Sequence, residues 1–341
     1  MIQSKYDCHE DLCAYDLDVN LFERFGLYVY EVVPIRKAFI LCTDKGNKIL
    51  KKVSYPLEEL TFIYNSLNYI NKNFNRTISF VKTLEGDIYT LWNDEVYFIM
   101  DLVKGRESEF SNPIDLKITS KSLAQFHKAG EGINSYINFK NRNSCGAFID
   151  NLKRKKEEII FFKSISKLYE DKNEFDQMFL ENVDHNIYEA QKSISILENS
   201  KYYEICNSKE KVVLCHHDLA HHNVIIKANK GYFIDFDYSI IDLKVHDLCN
   251  YITKAVKNSG YHIEKVKDIL DEYVKINNID QDEMEVLYGM LTFPEDFYSI
   301  SRDYYTKRKD WSLDTFINRI DKKTCLSQER SDFLFEFEKL I

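Results

Sequence analysis

Hydrophobic periodicity changes once along this chain, and the change limits the folds open to it. Between Leu27 and Val53 three short apolar runs, "LYVYEVVPI", "AFILCT" and "KILKKV", are separated only by Arg36-Lys37 and by a turn at Asp44 to Asn47. Strands joined this tightly make an antiparallel meander. Pro56 then opens a helix whose stripe is Leu60, Ile63, Leu67 and Ile70. Two more strand patterns, "GDIYTLW" and "EVYFIMDLV", turn at Asn93-Asp94 and bring the sheet to five strands. Ahead of them Leu12, Tyr15, Val19, Phe22 and Phe25 recur at helical steps and stop at Gly26.

Past Gly105 the period becomes helical. "KGRESEFSNPIDLKIT" is polar, carries Pro113 and reads as a linker or lobe crossing. "SLAQFHKAG" is a helix closed by Gly130. Glu174 to Asn199 places Phe175, Met178, Ile187, Ala190, Ile194 and Leu197 on one stripe. Strand signals recur only in "KVVLC", "NVIIK" and "GYFIDF". The expectation is an α+β chain: residues 1–103 as a lobe with an N-terminal helix, a five-stranded antiparallel sheet and one helix, and residues 104–341 as a mainly helical lobe.

A length of 341 residues fits two lobes, and 44% hydrophobic with 30% charged residues is an ordinary globular balance. A net charge of −9 without a long basic block argues against nucleic acid as partner. The run "KRKKEE" reads as a solvated helix face. No apolar stretch approaches the roughly 18 residues that span a bilayer, so no membrane insertion is expected. Eight cysteines lack any C-x-x-C pair, and the start "MIQSKYDCHEDL" is polar. Reduced thiols, no signal peptide and a cytoplasmic location follow as expectations.

The chemistry concentrates in "CHHDLAHHN", Cys215 to Asn223, followed after a hairpin by "IDFD". Two short strands with polar loops at corresponding ends bring Asp218, Asn223, Asp235 and Asp237 towards one another. Such hard oxygen donors suit Mg²⁺. An aspartate five residues before an asparagine, with a further aspartate after the next hairpin, is the layout of phosphoryl transfer. One carboxylate orients the attacking hydroxyl, while the asparagine and the later aspartate hold metal on the phosphates. The four histidines read poorly as a zinc site: neighbours on an extended strand point to opposite faces, and nothing completes a ligand set. His217, His221 and His222 are expected to pack or cap loops, and His216, two residues before Asp218, to brace the loop.

"HHDLAHHN" and "YFIDFDYSIIDLKVHDLCNYI" resemble the catalytic and metal-binding motifs of aminoglycoside phosphotransferase and choline kinase-like proteins. The combined block is most similar to CotS-type spore coat proteins, kinase-fold relatives of those enzymes, and the likeness includes "TDKGNKILKKV", the hairpin up to Gly105 and "SLAQFHKAG". The resemblance implies a bilobal protein kinase-like fold binding ATP (or GTP) and Mg²⁺. It makes Asp218 the catalytic base with His216 beside it, Asn223 and Asp235 the metal ligands with Asp237 as a further contact, and Asp247 the support of the loop. It places Lys51, or its neighbour Lys52, on the nucleotide phosphates, paired with Glu59 or Glu58, and the backbone from Asp101 to Val103 against adenine.

Two departures stand out: the turn "VVPIRKAFI" has no glycine to cradle phosphates, and His217 puts a bulky ring beside the base. Two functions are therefore expected as alternatives. One is a spore coat kinase-fold protein that phosphorylates an unknown small-molecule hydroxyl or amine, and the other an inactive scaffold among other spore coat proteins. A choline-, ethanolamine- or aminoglycoside-type kinase unrelated to spores is a further option. Expected locations are the mother-cell cytoplasm and the spore coat. Acceptor contacts are expected from Leu152 to Lys167 and Asp282 to Ile300. Glu295, Asp296, Asp303, Phe293, Phe297, Tyr298, Tyr304 and Tyr305 there would suit a cationic acceptor, or else the aromatics simply pack the core.

Overall fold

A computed structural model describes residues 17–137, 139–257 and 259–341. Leu12 and Tyr15 of the expected first helix, with Cys8 and Cys13, lie outside the described residues. The chain runs through α1 (Val19–Glu23), β1 (Val29–Ile35), β2 (Ala38–Thr43), β3 (Lys48–Lys52), α2 (Leu57–Ile70), β4 (Phe80–Val81), β5 (Thr90–Trp92), β6 (Glu95–Asp101) and β7 (Arg106–Glu107). Then come α3 (Pro113–Gly130), α4 (Ile133–Tyr136), α5 (Phe148–Leu168), α6 (Glu174–Asn199), α7 (Tyr202–Ile205), β8 (Val212–Cys215), β9 (Val224–Lys227), β10 (Lys230–Phe233) and β11 (Ile240–Leu243). The last elements are helices: α8 (Lys244–Val256), α9 (Ile263–Val274), α10 (Gln281–Thr292), α11 (Glu295–Tyr305), α12 (Leu313–Thr324) and α13 (Ser327–Glu338).

These elements form two compact units, one reaching Ser108 and including His222–Tyr238, the other comprising Glu109–His221 and Ser239–Ile341. The β9–β10 hairpin thus groups with the first unit, a placement that differs from a second lobe running unbroken over 104–341. In the first unit the strand order is β1-β2-β3-β6-β4, with β5 also on β6, and every pairing is antiparallel. The sheet has six strands, not five. The extra one, β4, is two residues long, too short to carry a period. Leu21, Phe22, Leu41, Leu50 and Ile99 are buried together beneath it.

The polar stretch after Gly105 is not a plain linker. Arg106–Glu107 pairs with β9, and Pro113 begins α3, where a missing N–H costs nothing. The Asn112 side chain caps that helix by accepting the Ile114 N–H. In the second unit β8 and β11 pair antiparallel, and the rest is helical. Asn173–Asp176 and Asp280–Glu283 form reciprocal capping boxes at the starts of α6 and α10. No helix among the described residues is long and apolar enough to cross a membrane.

Gly105 lets β7 and β9 approach. A Cβ there would lie 2.5 Å from Ile225 Cγ2 and 2.7 Å from the Ile226 carbonyl oxygen. Because one of those atoms is backbone, the Gly105→Ala variant is expected to lose about 1–3 kcal/mol by overpacking. Calorimetric melting checks this, and an unchanged midpoint would show that the contact yields freely.

Candidate active site

In the first unit, strand alternation decides between the neighbouring lysines. Lys51 pairs across the sheet with Phe98 and Lys52 with Tyr97, so their side chains leave opposite faces. Lys52 reaches Glu95 at 2.7 Å, whereas Lys51 Nζ lies 2.7 Å from both Asp235 Oδ1 and Asp237 Oδ2. Burial alone would lower the Lys51 pKa, but Asp237 and Asp235 outweigh it and hold the ammonium above its ordinary value. These contacts of Lys51 are with the two aspartates, and its expected pairing with Glu59 or Glu58 is not among them. Both glutamates sit in the first turn of α2, where the helix dipole favours acids, while the two aspartates take the ammonium.

The carboxylates are themselves positioned. Asp235 has φ of +64°, and the preceding Ile234 N–H donates to the Asn223 carbonyl at 3.0 Å. That bond ties the asparagine, 2% exposed, to the segment carrying both acids. The Tyr55 hydroxyl donates to Asp237 at 3.2 Å. One ammonium between two carboxylates leaves a negative charge over, and such oxygen donors fit a divalent cation. Further along, Lys48 pairs with the exposed Asp101 carboxylate at 2.5 Å. The Asp101 and Leu102 N–H groups donate to Ser79 and Asn47 carbonyls, and half-buried Val103 follows them.

In the second unit the loop after β8 is organised by Asp247, fully buried on α8. Its carboxylate accepts the backbone N–H groups of His216 at 2.5 Å and His217 at 2.7 Å. His127 Nε2 lies 3.1 Å from the same carboxylate, and its Nδ1 lies 2.7 Å from the Tyr273 hydroxyl. Burial holds His127 below its ordinary pKa. The neutral ring therefore donates to Asp247 and accepts from Tyr273. Burial alone would raise the Asp247 carboxyl, but the His127 contact and the loop N–H bonds bring it down to about 2.

This anchoring sets the residues that follow. His216 is buried, and its Nδ1 accepts the Asp218 N–H at 3.3 Å. His217 is held at φ of +64°, with its ring edge-on to His246 at 4.8 Å. Asp218 Oδ1 is met by Lys254 Nζ at 2.5 Å. His221 packs edge-on against Phe110, and His222 is half-buried. Among the described residues the cluster with metal-ligand spacing is His127, Cys215 and Asp247, not the motif histidines. Its members already hydrogen-bond to Tyr273, the Leu243 carbonyl and the loop.

A cavity of about 310 Å³ opens beside this loop within the same unit, lined in part by His217 and Lys254. The acids expected to attract a cationic acceptor do not present free charge. Glu295 pairs with Lys155 at 2.7 Å, Asp296 with Lys323 at 3.1 Å and Lys257 at 3.3 Å, and Asp303 with Arg302 at 2.7 Å. The aromatics are packing groups: Phe297 stacks on Phe179, Tyr304 on Phe175 and Tyr305 on Phe162. These three rings pack towards α5 and α6, while Phe293 and Phe297 also line the cavity. Leu152, Lys155 and residues from Met290 to Phe297, within the segments expected to meet an acceptor, line this cavity, whereas Lys254 and His127 were not found from the sequence. Their one signal there is the spacing of Asp247, Asn250 and Lys254 on a single helical face.

Residues 18–337 match the family described as "Spore coat putative kinase YutH". The chain belongs to this family. It is also similar to "Spore coat protein S" of Bacillus subtilis (strain 168), 23% identical over 309 residues covering 89% of this chain and 88% of that one. Among solved structures, an aminoglycoside phosphotransferase from Alicyclobacillus acidocaldarius has 16% identity and a TM-score of 0.82, covering 95% of this chain and 96% of that chain. An amicoumacin kinase in complex with AMP-PNP, Ca²⁺ and Ami has 14% identity and a TM-score of 0.64, covering 98% and 100%. At these identities the likeness shows the fold, a protein kinase-like α+β fold of the aminoglycoside phosphotransferase type.

In this family member the loop is expected to be sensitive to acid. Burial, with His246 adding to it, pushes His217 from 6.5 down to about 4, so protonation is harder in the folded state than in the unfolded one. That contribution is complete above pH 6.5 and is lost as pH falls from 6.5 to about 4; His127 acts in the same direction. Asp247 contributes stability above pH 3.8 that is lost towards about pH 2. The melting temperature is therefore expected to fall below pH 6.5, and less steeply in His217→Asn, since asparagine tolerates positive φ. Parallel pH profiles for the two proteins would contradict this.

Proposed function

We propose that this chain binds ATP (or GTP) with Mg²⁺ and transfers the γ-phosphoryl group to the hydroxyl of a small molecule, with Asp218 as the base. The observation that carries the reading is Lys51 held at 2.7 Å by both Asp235 and Asp237 in the first unit. Asn223, Asp235 and Asp237 would hold the metal, whose charge offsets that of the phosphates. With phosphate oxygens present, Lys51 has a second anion to serve. Asp218 accepts the acceptor's proton as its oxygen bonds to the γ-phosphorus and the bond to the β-phosphate oxygen breaks, releasing the nucleoside diphosphate. His216 fixes the Asp218 backbone, and Asp247 fixes His216. Backbone groups from Asp101 to Val103 would meet adenine, the Asp101 and Leu102 N–H groups being bonded already to the Ser79 and Asn47 carbonyls.

A second reading, a spore coat scaffold without turnover, draws on the β1–β2 turn. Arg36 there holds a φ of +52° without the glycines that usually cradle phosphates, and its side chain pairs with Glu107. Under either reading the working places are the mother-cell cytoplasm and the coat, among other coat proteins.

Melting with and without Mg-ATP separates the two. Stabilisation is expected, and its absence at millimolar nucleotide would leave the scaffold. Asp218→Asn should cut phosphate transfer by about 10²–10⁴-fold while sparing the nucleotide-induced shift. Asp235→Asn should diminish the metal-dependent part of that shift. Full transfer by Asp218→Asn would mean that another group is the base.

A further inference from the structure

Helix α8 carries its apolar residues inward: Val245, Leu248, Tyr251, Ile252, Ala255 and Val256 are buried. Its opposite face would ordinarily meet solvent. Here His246, Asn250, Thr253, Lys254 and Lys257 line the cavity of about 310 Å³ beside Asp218. That volume lies at the lower end of small-molecule sites. The charge on its wall is one-sided. Five cationic side chains, Lys155, Lys254, Lys257, Lys323 and Arg330, face three carboxylates, Glu189, Glu295 and Asp296.

The pairing is uneven as well. Lys155 takes Glu295, and Arg330 takes Glu189 together with three main-chain carbonyls. Lys257 and Lys323 share the single carboxylate of Asp296, so one positive charge remains over. A second observation is independent of charge. The buried Asn250 Nδ2 has no hydrogen-bond partner among the described residues. A buried donor without an acceptor is costly, and it is satisfied by a ligand that brings an acceptor.

We propose that this cavity is the acceptor site and that the acceptor is an anion, a hydroxyl-bearing small molecule whose carboxylate or phosphate group meets Lys257, Lys323 and Asn250. The assignment rests on the phosphotransferase reading for its role but not for its binding chemistry. Lys254 completes the arrangement. Its ammonium sits on Asp218 at 2.5 Å and is within the same wall, so an arriving anion draws it off the carboxylate and frees the base for the hydroxyl proton.

Calorimetric titration of the full chain without nucleotide tests this, with D-gluconate and glucose 6-phosphate as anionic probes and glucosamine and choline as cationic ones. Binding of at least one anion is expected, more tightly than either cation; which anion binds separates carboxylate from phosphate. Lys257→Met and Lys323→Met each leave Asp296 one partner, so the fold is retained, and each should weaken that binding about tenfold or more. Tighter binding of a cation, no binding of either anion, or undiminished binding in both variants would overturn the proposal. The wild-type ranking holds whether or not the variants fold. A parallel titration with Mg-ADP keeps the two readings apart. Its failure sinks the nucleotide site alone, and a missing anion response beside intact nucleotide binding sinks the acceptor assignment alone.

Discussion

The second unit depends on one buried negative charge. An ionised carboxylate at zero exposure is tolerable only if hydrogen bonds replace the water it has lost. Asp247 gets them from the His216 and His217 N–H groups and from His127, which is itself fixed by Tyr273. Four pieces of chain far apart in sequence, α3, α8, α9 and the loop after β8, are thereby held to one another. None of those contacts touches a reacting atom. They fix where the backbone points, and Asp218 inherits its position from them.

The first unit solves a related problem with mobile charge. Lys51 is mostly buried and stays ionised because two aspartates close on it. Both come from a segment some 180 residues later, which explains why His222–Tyr238 belongs with the sheet. An ammonium shared by two acids is a stable resting arrangement with a net negative charge. It is also one that a cation and a phosphate anion, arriving together, can rearrange without leaving any group unpaired.

Much of this was legible before any coordinates. The strands from Leu27 to Val53, the proline-opened helix α2 and the oxygen donors of residues 218–237 follow from period, turn chemistry and residue type. The choice of Lys51 over Lys52 needed the register, because alternation says only that the two differ. A glutamate partner could not be chosen from the sequence, because acids in a first helical turn look alike whether they bind a lysine or the helix dipole. For "FPEDFYSISRDYY" the sequence left a cation-binding face and core packing both open. Composition shows acids and rings, but not the lysines of α5 and α12, and Lys257 just past α8, that neutralise them from outside the segment. Periodicity likewise cannot tell a polar helix face turned to solvent from one turned to a cavity, and so Lys254 stayed hidden.

Backbone strain marks both segments. His217 and Asp235 both sit at φ of +64°, where a residue with a Cβ costs roughly 1–2 kcal/mol relative to glycine. Neither is at a hairpin tip, where Asn93-Asp94 and Ala228-Asn229 adopt such angles to turn the chain. Each is held by an opposing interaction, His217 through Asp247 and Asp235 through Lys51. Both angles are therefore set by tertiary contacts and not by local turn chemistry: a buried carboxylate on α8 fixes one and a buried lysine on β3 fixes the other.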